Sequence, residues 1–319
     1  MSVVSVLGRI GYDLYSEEPH TPLDRVHHFR STLGGSSANI AVGLARLGFE
    51  VHMLAALSDD LMGAFLRNTL VSEGVDISLV QAVPYRTSLC LTEVCPPESF
   101  RQVFYRSDPA DARLTWDASM EGVIRRSQIV VTNGTSLCAS PSRDTTLQAL
   151  QLAHSLGLTT VFDVDYRASS WDSPRAAGAA ARQAWPWIDV LLANADEIRL
   201  LSSDPDETAS EAQIAAEALA NGVKVVVWKQ GAEGAAGFTS GSDIHVPAFR
   251  VEVTSTIGAG DGFAVGFTYA YAQGMPLAEC LRYGNACAAH VVQQVACAEA
   301  MPTLSQLLSL LERAPGAPE

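Results

Sequence analysis

The stretch TSTIGAGDGF, residues 254–263, sets three small residues ahead of an aspartate and leads into the apolar run GDGFAVGFTYAYAQG. A glycine-rich turn that opens a helix leaves backbone N–H groups free to hold an anion. A phosphate-binding loop commonly adds a lysine there, but this turn ends in Asp261, which would repel a phosphate. If Gly258, Ala259 and Gly260 form the turn, their N–H groups converge on one spot, and small residues let a ligand approach the backbone closely. Such a spot suits charge that develops while a phosphoryl group moves, and a carboxylate beside it suits proton removal from an attacking hydroxyl. A blander reading stays open: a helix start whose Asp261 only complements the dipole.

Outward from this turn, short apolar runs alternate with helical periods. SVVSVLG (2–8) and VHMLAAL (51–57) read as strands. SSANIAVGLARLG (36–48) reads as a helix with a serine cap and Gly48 as its stop. DLMGAFLRNTLVSEG (60–74) reads as a helix with Met62, Phe65, Leu66 and Leu70 on one face. After residue 127 the strands IVVTN (129–133), TTVFDVD (159–165), DVLLAN (189–194) and VKVVVWK (223–229) alternate with helices near 142–157, 174–185 and 210–221. Near-continuous apolar strands separated by helices predict an α/β fold, a mostly parallel sheet covered on both faces. Ligands bind such sheets beyond the carboxyl ends of the strands.

Two segments, about 13–33 and 86–115, break the alternation within what reads as a single domain over 1–319. TSLCLTEVC (87–95) and RQVFYRS (101–107) alternate like a hairpin around the turn PPES. With no helix to cover them, these segments are expected to form a small projecting sheet, a candidate lid. The tail RAPGAPE reads as a frayed end.

Composition narrows the function. The 319 residues carry a net charge of −14, which argues against a nucleic-acid partner while allowing a small anionic ligand held by a few local cations. Six scattered cysteines, with no C-x-x-C pair, read as reduced buried thiols of a cytoplasmic protein. The start MSVVSVLGRIGYD lacks a basic segment and a long apolar run, so no signal peptide is expected. No stretch reaches the roughly 18 apolar residues of a membrane span.

Four further motifs accompany the glycine turn. GGSSAN (34–39) sets a diglycine, Gly34 and Gly35, before a helix that includes Asn39, and is also consistent with a simple tight turn. NADE (194–197) sets Asn194 and Glu197 one helical turn apart, an arrangement that also makes a good N-cap. KQGAEG (229–234) offers Lys229, Gly231 and Gly234 after a strand, where a turn to the next strand is the alternative. GRIGYD (8–13) reads as ending the first strand in the carboxylate Asp13.

Together and in this order, GRIGYD, GGSSANIAVGLARLG, NADE, KQGAEG and TIGAGDGF resemble the ribokinase-like, or PfkB, carbohydrate kinases over about residues 2–313. The resemblance implies a three-layer α/β sandwich with a small β-sheet lid, and ATP-dependent phosphorylation of a sugar hydroxyl. It implies Asp261 as catalytic base and Gly258, Ala259 and Gly260 as the anion hole. Asn194 would approach the phosphates, and Lys229, Gly231 and Gly234 would also bind the nucleotide. Glu197 would organise Mg²⁺ through water, and Asn285, in YGNACAAH, would lie near the adenine. Asp13, Gly34, Gly35 and Asn39 would hold the sugar. The family usually has an aspartate three residues before the first glycine of GAGD, part of a monovalent-cation site. This chain has Ser255 there.

Arginines point to the substrate class. FYRSDPAD (104–111) offers Arg106, and DVDYRASSW (163–171) offers Asp165 and Arg167 beyond a strand end. Two arginines converging on a pocket suit a carboxylate, although each could instead pair with a neighbouring aspartate. With NGTSLCASPSRD (133–144) and ACAEAMPT (296–303), these stretches are most similar to the 5-dehydro-2-deoxygluconokinases of inositol catabolism. The 2-dehydro-3-deoxygluconate kinases come next, then fructokinases and ribokinases. A sugar-acid-binding regulator without turnover is the reading from another class. The resemblance also makes a homodimer through the lid an expectation.

Overall fold

Runs such as VVSVL and VLLAN, each apolar at all but one position, are stable only where helices cover both faces of a sheet. The computed structural model, which describes residues 2–96, 99–203 and 208–312, places them so. Pro97 and Glu98 of the expected PPES turn, and the RAPGAPE tail, lie outside the described residues. The strands in chain order are β1 (Val3–Leu7), β2 (Gly11–Ser16), β3 (Phe29–Gly34), β4 (Glu50–Ser58) and β5 (Val80–Val83). They continue with β6 (Ser88–Thr92), β7 (Gln102–Tyr105), β8 (Ile129–Asn133) and β9 (Thr159–Asp163). The last are β10 (Val190–Asn194), β11 (Val225–Lys229), β12 (Ala235–Phe238) and β13 (Asp243–Val246).

The main sheet runs β13-β12-β11-β10-β9-β8-β1-β4-β5. It is parallel from β5 to β11, with β12 and β13 added antiparallel at one edge. Period-two alternation sends Val190 and Leu192 to one face and Leu191 and Ala193 to the other. On the first face the helices Ser36–Arg46, Ala259–Ala272 and Leu277–Val291 pack into one large core. A Cβ on Gly43 would stand 2.5 Å from Val265 Cγ2, so the first two of these helices approach too closely for any side chain there. That contact seats the start of Ala259–Ala272 against the start of Ser36–Arg46.

The segments that break the alternation form a second sheet, β3-β2-β6-β7, in which β6 and β7 are the expected antiparallel hairpin. GRIGYD spans the connection that follows β1 and the start of β2. Asp13 does not end the first strand; it lies within β2, paired with Thr32 and Cys90. The helix Leu61–Ser72 buries Gly63, Leu66 and Leu70, while Met62 and Phe65 are exposed. Phe65 instead meets Tyr12 of β2, ring centroids 5.3 Å apart, so that edge of the helix faces the small sheet. Among the described residues no helix is long and apolar enough to cross a membrane.

Candidate active site

A cavity of about 560 Å³ opens where the carboxyl ends of β9, β10 and β11 bring Asp163, Asn194 and Lys229 together. Gly35, Ser36 and Asn39 line it from one helix start, and Gly258, Gly260 and Asp261 from another. The small sheet contributes Asp13, Gln102 and Phe104.

Gly258 is left-handed, φ +80°, and no side chain caps the helix that follows. Asp261, in the first turn of that helix, is 9% exposed. Its Oδ1 accepts from Ser36 Oγ at 2.7 Å and its Oδ2 from Asn39 Nδ2 at 2.7 Å. Burial pushes its carboxyl above the usual range, with Asp165 adding, while the Asn39 and Ser36 hydrogen bonds and Arg167 pull it back. The expected serine cap therefore does not form. Gly35, φ +94°, is the N-cap residue of Ser36–Arg46, and the hydroxyl of Ser36 reaches Asp261.

The diglycine makes room for the second acid. A Cβ on Gly34 would lie 2.1 Å from Asp13 Cγ, and one on Gly35 would lie 2.5 Å from the Arg9 carbonyl oxygen. Asp13 is buried, and that burial raises its carboxyl to about 6 against the pull of Arg9. Asp165 follows β9 with φ +39°, an unusual backbone for a non-glycine residue and one that recurs at functional sites. Its carboxylate accepts from Asn133 Nδ2 and Thr135 Oγ1 and pairs with Arg167 at 2.9 Å.

A side cavity of about 240 Å³ shares Asn194, Lys229 and Gly260 with the main one and adds Gly231, Gly234, Ala259 and Asn285. All five residues expected at a nucleotide thus border one space. Gly234, φ +101°, turns the chain tightly enough that a Cβ would stand 2.1 Å from the Val246 carbonyl oxygen. Asn285 donates from Nδ2 to Val246 and Pro247 carbonyls. Lys229 Nζ bonds Asp163 Oδ1 at 2.7 Å in a buried pair. Burial pushes Asp163 upward against the attraction of Lys229.

NADE serves as the N-cap its pattern allowed. Asn194 Oδ1 accepts from the backbone of Asp196 and Glu197, and Glu197 Oε2 accepts from Asn194 N. The other Glu197 oxygen accepts from Tyr166 N, yet the carboxylate still lines the cavity beside Asp163. Glu197 and Asp163, both lining the cavity, offer carboxylate oxygens that fit a Mg²⁺ ion keeping several of its waters. Ser255 is buried, and its Oγ accepts from Ile257 N at 3.2 Å.

Arg106 is not brought to the cavity. It is buried in an ion pair with Asp111 and lies against Cys138 Sγ. The guanidiniums that do line the cavity belong to Arg167 and to Arg9, which sequence reasoning passed over although it sits inside GRIGYD. Ser36 read only as a helix cap, and Asp163 only as an alternative partner for Arg167, whereas Asp163 pairs with Lys229 and Arg167 with Asp165.

A model of the pfkB family of carbohydrate kinases matches residues 1–304. The chain is 33% identical over 311 residues to a 5-dehydro-2-deoxygluconokinase of Lacticaseibacillus casei, covering 97% of this chain and 95% of that one. It is 32% identical over 310 residues to a 5-dehydro-2-deoxygluconokinase of Geobacillus kaustophilus, covering 96% and 92%. Among solved structures, a PfkB protein from Polaromonas sp. JS666 matches with TM-score 0.83 at 25% identity, covering 97% of this chain and 99% of that one. A fructokinase with bound ATP from Xylella fastidiosa shares the fold, with TM-score 0.85 at 24% identity over 97% and 98%.

Proposed function

The chain belongs to the pfkB family of carbohydrate kinases, and from that premise we propose that it uses ATP to phosphorylate a hydroxyl of 5-dehydro-2-deoxygluconate, a sugar acid. The observation that carries the chemistry is Asp261, fixed by two donors beside an uncapped glycine turn. Asp261 takes the proton of the attacking hydroxyl, and the N–H groups of Gly258 to Gly260 stabilise the charge that develops on the transferring group. Ser36 and Asn39 hold the carboxylate in place and favour its ionised form. Asn39 Oδ1 is buried without a partner, an acceptor suited to a sugar hydroxyl. Asp13 and Asp165 offer further acceptors, and Arg167 offers a cation.

When bound, ATP with Mg²⁺ supplies the phosphoryl group and a counter-charge. Asn194, Lys229, Gly231, Gly234 and Asn285 would hold the nucleotide, and Glu197 would hold the ion through water. The buried, inward-bonded Ser255 supports catalysis without a strongly bound monovalent cation. The small sheet, with Phe104 and Gln102 over the cavity, would act as a lid. Its edge strand β7 exposes Val103 and Tyr105, which supports a homodimer formed through the lid. ATP as the donor fits a cytoplasmic setting.

The test is ADP release with a panel of 5-dehydro-2-deoxygluconate, 2-dehydro-3-deoxygluconate, fructose and ribose. The first is expected to give the highest kcat/KM by a large factor. A preference for fructose or ribose would remove the sugar-acid reading and leave a neutral-sugar kinase.

A further inference from the structure

Three cations line the main cavity, and two of them are neutralised. Arg167 pairs with Asp165 at 2.9 Å and Lys229 with Asp163 at 2.7 Å. Arg9 is the exception. It is 6% exposed, it forms no ion pair with any described carboxylate, and its Nε is buried without a hydrogen-bond partner. A guanidinium so largely withdrawn from water, with only the cavity before it and no carboxylate in contact, is costly to hold.

The surroundings keep this cation in place rather than relieve it. Arg9 lies in the short connection between β1 and β2, where the chain passes from the large sheet to the small one. Its Cζ stands 6.0 Å from the ring centroid of Phe104, on β7. That is a cation–π distance, and it orients the guanidinium without supplying an anion. Gly11 clears the space beside it, since a Cβ there would stand 2.9 Å from Nη1. Asp13 is close enough to feel Arg9 electrostatically but makes no contact pair with it.

We propose that Arg9 receives the carboxylate of the sugar-acid substrate, so that the ligand completes an ion pair that the free protein leaves open. The inference rests on the sugar-acid reading above and assigns the recognition of charge to the junction between the two sheets, not to Arg106. It also gives selectivity a physical origin. A neutral sugar would close the cavity over an unpaired guanidinium, and sites with stranded polar groups reject such ligands strongly.

The experiment compares wild type, Arg9→Met and Arg9→Lys. It reads kcat/KM for 5-dehydro-2-deoxygluconate and for fructose, and the Tm of each protein with and without the sugar acid, ATP omitted. In Arg9→Met the ratio of sugar acid to fructose is expected to fall by ~30-fold or more, as for loss of a desolvated charge pair. The ligand-free Tm should hold or rise, since an uncompensated buried charge has been removed, while the Tm increment from the sugar acid shrinks. Arg9→Lys should retain part of the ratio, keeping charge without the planar fork. A ligand-free Tm that falls in Arg9→Met, with the substrate ratio retained, would overturn the inference and make Arg9 a packing residue. If wild type itself prefers fructose, the sugar-acid reading fails and this inference fails with it.

Discussion

Ser36 Oγ donates to Asp261 Oδ1 at 2.7 Å, a buried contact between residues 225 positions apart. It joins the starts of two helices and holds the carboxylate proposed as the base at one fixed point. Two consequences can be measured.

Asp261→Asn should lower kcat by ~10²–10⁴-fold, the range for a general base, with little change in ATP affinity. A variant that keeps more than about a tenth of wild-type kcat would rule out that role.

Ser36→Ala should move the acid limb of the pH profile. With Asp261 as the proposed base, activity is expected to need its ionised form and to be lost as pH falls through its pKa, which burial has raised. The Ser36 hydroxyl favours the ionised form, so its removal raises that pKa further, and the limb should shift to higher pH. An unmoved limb in kcat/KM against pH would leave Ser36 a purely structural role.

Asp13 should make stability pH-dependent in an unusual direction. Its carboxyl rises from 3.8 to about 6 on folding, chiefly through burial. The folded state therefore binds this proton more tightly than the unfolded chain. Stability from this group is fully present below about 4 and is lost as pH rises through about 6, on the order of 3 kcal/mol. Asp13→Asn should raise Tm relative to wild type at pH 8, with the difference closing by pH 4. A difference independent of pH would mean that Asp13 is not buried in charged form.

Lys229→Ala should destabilise by about 3–5 kcal/mol, because it strands the buried carboxylate of Asp163. The double variant Lys229→Met with Asp163→Asn should recover much of the loss. Urea unfolding of the three proteins supplies the comparison, and equal losses in the single and double variants would contradict the pairing argument.

Potassium should matter little. Ser255 accepts from the Ile257 backbone N–H through its Oγ and brings no negative charge. Replacing tetramethylammonium chloride with KCl at constant ionic strength should change kcat only slightly. Activation beyond about tenfold would show that backbone carbonyls alone suffice to bind the ion.

Local pattern determined a great deal of this protein. Alternation of apolar runs with helical periods was enough to specify a parallel sheet covered on both faces, because burial on both sides leaves few polar positions in runs such as VLLAN and IVVTN, and those lie toward the carboxyl ends. The glycine turn before Asp261 was legible for a similar reason. A left-handed Gly258 and an uncapped helix start are properties of adjacent residues. Charge pairing was not legible, because it depends on what the fold brings near. Arg106 met Asp111 and was neutralised, whereas Arg9, written into GRIGYD, reached the cavity with no partner. Ser36 read as a cap in sequence, but Gly35 holds the N-cap position, and the Ser36 hydroxyl donates across the fold to a carboxylate instead. Periodicity records which positions are buried, while the partner of a buried polar group is chosen by three-dimensional distance alone.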